Sequence, residues 1–450
     1  MVIGDDEAGL QATKEVTGAP ALSEFEFELK LTSNNASNVQ VVTGDTAEAF
    51  PTDGIKVSTN NLFNENSNTG IEGSETIDFG DLSFTAEGVY TFEVTETNTT
   101  DAGGWTYGSG SGSVITVTVT DEDQDGQLEA TTVVEQDGEQ VDTNNPTITN
   151  SYVPASVTAT GETALQVTKE VVGAPALSDF DFTMTLTSGE MDNVKIGSGD
   201  NLTDFTDAGI KVSTSNLYDE GVQTGKEDKE TVGFGDITFT AAGDYTFTVV
   251  EDTTTDAAGW NYQSGENYAK TITVHVTDEN YNGQLYISVE GNNQIFTNSY
   301  APESATLTGD TALKVQKTVT GAPTDVDFTF GATFDAEASA AAETPGSIAG
   351  IQGATEGQNF TLAATVSDNF AEGDAAKTAS FGDVTFTQPG TYIFNVTETN
   401  EAPAEGSGWT YDGTVKTITV VVTDNSEGAL VADVTYGNDV EGAAETAKAT

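Results

Sequence analysis

Three lysines, three glutamates and three asparagines recur at matching places along the 450 residues, and each interrupts an apolar stripe. Residues two apart on an extended strand share a face. Lys14 therefore shares a side with Leu10 and Ala12, Lys169 with Leu165, Val167 and Val171, and Lys317 with Leu313, Val315 and Val319. Lys314, the rival amine of the third segment, has the opposite parity, with Gln316 and Thr318. An acid continues the stripe Tyr90, Phe92, Val94 at Glu96, the stripe Tyr245, Phe247, Val249 at Glu251, and the stripe Tyr392, Phe394, Val396 at Glu398. A carboxamide does the same near the end of each copy: Ile148, Asn150, Tyr152; Phe296, Asn298, Tyr300; Tyr436, Asn438, Val440.

An amine, a carboxyl and a carboxamide buried separately would each be costly, and grouping them removes most of that cost. Desolvation lowers the amine pKa and raises that of the acid, so a neutral amine beside a protonated acid is expected at neutral pH. Such an amine is a nucleophile, the acid polarises the carboxamide and shuttles the proton, and loss of ammonia leaves a Lys–Asn amide bond between side chains. Alignment by the fold supplies roughly 7–11 kcal/mol of the barrier through an effective molarity of about 10⁵–10⁸ M. The reaction runs once, so the product is a cross-link and the chain is not a turnover enzyme.

The elements that must position these groups are strands. The segments "LQATKEVTGAPALSEFEFELKLTS", "LQVTKEVVGAPALSDFDFTMTLTS" and "LKVQKTVTGAPTDVDFTFGATF" open three repeats, and "FGDLSFTAEGVYTFEVTE", "FGDITFTAAGDYTFTVVE" and "FGDVTFTQPGTYIFNVTE" lie in their middles. Lys14 to Lys169 spans 155 positions and Lys169 to Lys317 spans 148, so the repeating unit is a whole domain. Period-two alternation, richness in Val, Thr, Phe and Tyr, and Gly, Asp and Asn punctuation predict antiparallel strands, and hence an all-β chain of three tandem immunoglobulin-like β-sandwich domains. Helical periodicity is absent, and the one Ala-rich stretch, 336–342, is short. Domain boundaries are expected at 1–153, 154–302 and 303–450, where "SYVPASVTATGETA" and "SYAPESATLTGDTA" cluster Pro, Ser, Thr and Gly.

The order of "TKEV", "TKEV" and "QKTV", then "YTFEVTE", "YTFTVVE" and "YIFNVTE", then "TITNSY", "FTNSY" and "TYGND" resembles the isopeptide-forming domains of Gram-positive pilins and surface adhesins, of the streptococcal major-pilin type. The resemblance covers essentially the whole chain as three copies. It implies spontaneous cross-links Lys14–Asn150, Lys169–Asn298 and Lys317–Asn438, assisted by Glu96, Glu251 and Glu398 respectively. It also implies an extracellular stalk or pilus-shaft segment on a Gram-positive cell surface, whose partners are neighbouring domains of the same protein or fibre, with a host or bacterial surface ligand as a further expected partner. The third copy departs from the pattern: "TYGND" replaces "TNSY", "GIKVST" is lost, and Asp439 adjoins Asn438, so an aspartate partner releasing water is the alternative there.

Composition narrows the remaining classes. Seventy-three Asp and Glu against 14 Lys, with no Arg, give a formal charge of -59, which repels nucleic acid and anionic membrane. No cysteine and a single histidine, His275, exclude disulfides, thiolate sites and multi-histidine metal centres, so no metal or other cofactor is expected. "DEDQDG" at 121–126 lacks an acid at its twelfth position, Thr132, and reads as a hairpin turn, as do "DENYNG" and "DNSEG". His275 is out of phase with Ile272, Val274 and Val276 and is expected to face solvent. The other function class is a carbohydrate- or host-ligand-binding module using Trp105, Trp260 and Trp409, for which once-per-domain packing is the simpler role.

Overall fold

The computed structural model describes every residue except 1, 4–8, 65–68, 99–101, 110–111, 142–144, 253–256, 322–325, 368–369, 372–373 and 438–450. Three separate apolar cores run along the chain, centred on Phe27, Phe84 and Phe92, then Phe182, Phe239 and Phe247, then Phe386, Tyr392 and Phe394. Each belongs to a β-sandwich.

In the first domain the larger sheet has the order Glu139–Val141, Glu129–Gln136, Ser113–Thr120, Gly88–Glu96, Glu26–Leu31, Ile55–Ser58, and the facing sheet has the order Trp105–Ser109, Thr147–Tyr152, Gln11–Thr17, Gly73–Asp78. The second domain repeats this plan, with Gly243–Glu251 between Asp181–Ser188 and Lys270–Thr277 in one sheet and Gln166–Val172 beside Gln294–Tyr300 in the other. The lysine and asparagine strands, first and last in sequence among the strands of these two sheets, pair in parallel, whereas the other ladders are antiparallel. A parallel pair needs a long crossover, and here the body of the domain is that crossover.

Third-domain strands Phe328–Phe334, Gly390–Glu398, Lys416–Asp424 and Leu430–Gly437 form the glutamate sheet with Thr361–Val366, but Lys314–Lys317 pairs only with Lys377–Ser380 among the described residues. The Ala-rich stretch is helical, Ala336–Ala340, capped by Asp335 through the Ala338 N–H at 3.0 Å. Ala has the highest helix propensity and the N-cap carboxylate satisfies an end donor; a single turn of this kind is too short to show periodicity.

Successive domains meet at a repeated joint. The Tyr152 hydroxyl donates to Asp278 Oδ2 (2.7 Å) and accepts from the Gly283 N–H (3.0 Å), while Ala155 N–H donates to the Gly283 carbonyl (2.9 Å). One repeat later Tyr300 donates to Asp424 Oδ1 (2.8 Å) and Glu303 N–H to the Gly428 carbonyl (2.8 Å). The turns "DENYNG" and "DNSEG" are thus hairpin turns that also receive the preceding domain. Gly283 has φ +85°, and a Cβ there would lie 2.3 Å from the Gly103 carbonyl carbon, so only glycine fits. Gly283→Ala should separate the first and second domains: amide exchange at Gly283 and Ala155 is expected to rise at least tenfold while the cores stay protected, and unchanged exchange would contradict the joint.

Candidate functional site

Strand parity places all six of these side chains inward in the first two domains, although Thr168, of the other parity, is buried as well. Ala12, Lys14 and Val16 are buried on one side of Gln11–Thr17, Tyr90 to Glu96 on alternate positions of Gly88–Glu96, and Ile148, Asn150 and Tyr152 on Thr147–Tyr152. Ile148 lies opposite Lys14 and Asn150 opposite Val16, so lysine and asparagine are a diagonal step apart on neighbouring strands of one sheet, and Glu96 faces them from the other. The second domain has the same register: Phe296 opposite Lys169, Asn298 opposite Val171.

One carboxylate bridges the other two groups. Lys14 Nζ donates to Glu96 Oε2 at 3.0 Å and Asn150 Nδ2 donates to Glu96 Oε1 at 2.8 Å; the corresponding distances in the second domain are 2.9 Å from Lys169 to Glu251 and 2.7 Å from Asn298. Both lysine and both asparagine residues have 0% exposure. A phenyl ring walls each amine, Phe25 with its centroid 4.5 Å from Lys14 Nζ and Phe180 4.4 Å from Lys169 Nζ. Burial outweighs the neighbouring glutamate and lowers both lysines to about 8. Burial also raises Glu251, against the pull of Lys169. Together these shifts favour the neutral amine beside the protonated acid.

The remaining lone pairs of the carboxamide are met by backbone. Gly108 N–H donates to Asn150 Oδ1 at 2.8 Å and Gln263 N–H to Asn298 Oδ1 at 2.9 Å, which aims a dipole at the oxygen that gains charge on attack. Neither donor was evident in the sequence, although each stands three positions after the tryptophan of "GWTYG" or "GWNYQ". The aromatic walls were likewise latent in "FEF" and "FDF".

In a chain carrying Asn298→Ala, the Lys169 amine stays unreacted. Its folded pKa, about 8, lies below the ordinary 10.5, so between these values the unfolded state holds the extra proton and stability should rise with pH. Urea titrations of this variant against the same chain with Lys169→Met should show that difference between about pH 8 and 10.5; a flat difference would contradict the buried amine.

The third site is built differently. Lys317 Nζ lies 2.7 Å from Glu398 Oε2 and 4.3 Å from the Phe328 centroid, but Glu398 Oε1 has no hydrogen-bond partner among the described residues. Asn438, expected to complete this site, lies outside the described residues. The strand before it, Leu430–Gly437, pairs with Lys416–Asp424 so that Thr435 faces Thr419, as Glu290 faces Thr273 in the second domain. Lys314 has its amine on the Asp310 carbonyl at 2.8 Å, away from Glu398.

The other sequence candidates have structural surroundings. Trp105 stacks on Tyr107 (6.0 Å between centroids) and Trp260 on Tyr262 (5.7 Å), and both pack against their domain core. His275 is partly exposed and bonds Asp244 at 2.6 Å. Asp121, Asp123 and Asp125 gather at a hairpin turn, the first partly buried and the other two exposed. Among the described residues no helix is long and apolar enough to cross a membrane.

No curated protein matches the chain. Among solved structures, the major pilin of Streptococcus pyogenes aligns at 21% identity and a TM-score of 0.22, covering 65% of this chain and 98% of the pilin. The major pilin of Streptococcus pyogenes serotype GAS131465 aligns at 17% identity and a TM-score of 0.20, over 66% and 98% of the two chains. A family model matches residues 10–153, 165–301 and 313–448, and the chain belongs to that family, FctA, the Spy0128-like isopeptide containing domain.

Proposed function

We propose that the chain is a stalk or pilus-shaft segment of a Gram-positive surface protein, divided at 1–153, 154–302 and 303–450, and reinforced by Lys14–Asn150 and Lys169–Asn298 isopeptide bonds. The observation that carries this reading is the twice-repeated contact of a fully buried amine and carboxamide on one carboxyl group. Glu251, protonated by exchange with Lys169, gives its proton to Asn298 Nδ2 and takes one from Nζ as Nζ attacks Cγ. The Cγ–Nδ2 bond breaks, ammonia leaves and one amide bond forms. Glu96 does the same for Lys14 and Asn150.

Each bond joins a strand near the start of a domain to its last strand. Tension applied at the two ends passes through the cross-link and bypasses the enclosed chain, and Tyr152 and Tyr300, two residues beyond the reactive asparagines, pass it on to the next domain. The partners are therefore neighbouring domains of the same fibre, and the place of work is the outer cell surface. Exhaustive digestion should release a branched peptide joining the segments around Lys14 and Asn150, and another joining those around Lys169 and Asn298. Recovery of these segments only as linear peptides would defeat the reading. In the third domain Lys317 and Glu398 are the amine and acid, and Asn438, or an aspartate such as Asp439 beside it, is the carbonyl partner expected from the sequence.

A further inference from the structure

We propose that Asn282 is a self-modification site guarded by the joint between the first two domains: its carboxamide survives while the joint is closed and is hydrolysed to aspartate or isoaspartate when the joint opens. The chain contains a single Asn–Gly pair, Asn282–Gly283. Glycine has no Cβ to keep its nitrogen from the side-chain carbonyl carbon of the asparagine before it, so this is the pair best suited to self-attack. It stands in the turn that receives Tyr152 and Ala155 from the preceding domain. The corresponding residues of the other two turns are acids, Asp125 before Gly126 and Glu427 before Gly428, so the middle turn alone has an amide to lose.

The reaction needs only water. Gly283 N gives its proton to solvent and attacks Asn282 Cγ; the Cγ–Nδ2 bond breaks, ammonia leaves, and a five-membered succinimide forms. Water then opens the ring at one of its two carbonyls. One product is aspartate; the other is isoaspartate, whose main chain runs through Cγ.

The closed joint opposes each part of this attack. Gly283 is buried, and its N–H donates at 3.0 Å to the Tyr152 hydroxyl, which is itself fixed by Asp278 at 2.7 Å. The carboxamide is tied down within the turn, Oδ1 accepting from Gln284 N–H at 3.1 Å and Nδ2 donating to the Tyr286 hydroxyl at 3.2 Å. The peptide between them has no room to rotate into a ring. A Cβ at Gly103 would lie 2.5 Å from the Asn282 carbonyl oxygen, and one at Gly104 would lie 2.9 Å from Gly283 Cα, so the first domain's backbone rests directly on it. Asn282 itself is exposed, so water reaches the carboxamide and only the attacking nitrogen is sealed.

Conversion runs one way. Isoaspartate lengthens the main chain ahead of Gly283 and displaces the N–H and carbonyl that bind Tyr152 and Ala155, so a joint that has opened and reacted does not close again in the same register. None of this depends on the isopeptide bonds.

The test holds the full chain in mildly alkaline buffer and follows residue 282 by digestion and mass spectrometry, counting the exchange of ammonia for water and the isoaspartate share. A synthetic peptide of residues 278–286, DENYNGQLY, sets the unguarded rate. Asn282 in the unaltered chain should keep its amide long after the peptide has converted. Tyr152→Phe, which retains the ring and removes the hydroxyl on Gly283 N–H, should speed conversion by about tenfold or more. Tyr300→Phe, the same change at the next joint, should leave it at the rate of the unaltered chain. Conversion in the unaltered chain as fast as in the peptide, conversion in Tyr152→Phe no faster than in the unaltered chain, or equal acceleration by Tyr300→Phe would each overturn the inference.

Discussion

Lys169→Ala should yield a protein that loses one ammonia fewer and whose second domain melts well below its native temperature. The loop closed between Lys169 and Asn298 takes in most of the domain, and the chain-entropy relation assigns about 5 kcal/mol to a closure of that length. At about 2–4 °C per kcal/mol for a domain of this size, the transition should fall by roughly 10–20 °C. The substitution also leaves Glu251 and the Asn298 amide fully buried without the amine, where an uncompensated carboxyl is costly. Calorimetry of the full chain resolves the point because the three cores are separate, and the first domain, with its own Lys14 and Asn150, should melt as before. A second-domain transition within a few degrees of native would contradict a covalent closure.

Glu251→Gln is the sharper substitution, since it keeps both reactants and nearly the same volume. A carboxamide can hold Lys169 and Asn298 by hydrogen bonds, but it cannot accept a proton from the amine and pass one to the leaving nitrogen. General acid–base help of this kind is worth about 10²–10⁴ in rate. Freshly folded Glu251→Gln should therefore keep the mass of the unreacted second domain for days while the first domain reacts normally. Full reaction at the native rate would show that Glu251 only fills space. The same substitution at Glu96 should act on the first domain alone, because the two sites share no residue.

Much of this site was legible because strand parity is a strict code. A lysine at the position of a buried aliphatic residue, three times over, pointed inward before any coordinates, and Lys14 and Lys169 are fully buried. Parity says which face a side chain takes and nothing about which strands are neighbours. The parallel pairing of the lysine and asparagine strands, which brings Lys14 within reach of Asn150, is a long-range property with no local signal. In the third domain Leu430–Gly437, which holds the first three residues of "TYGND", is the hairpin partner of Lys416–Asp424, and Asn438 lies outside the described residues. The backbone donors at Gly108 and Gln263 could not be read from side-chain types at all. The joint tyrosines were visible only as apolar-face residues, since their partners Asp278 and Asp424 lie far along the chain.

Two conserved internal geometries and one divergent one make the mass of the intact chain decisive. Electrospray measurement of the folded, unmodified protein should find it lighter than the sequence mass by two ammonia molecules, about 34 Da in all. A mass equal to that of the sequence would mean that the buried amines and carboxamides touch without ever reacting.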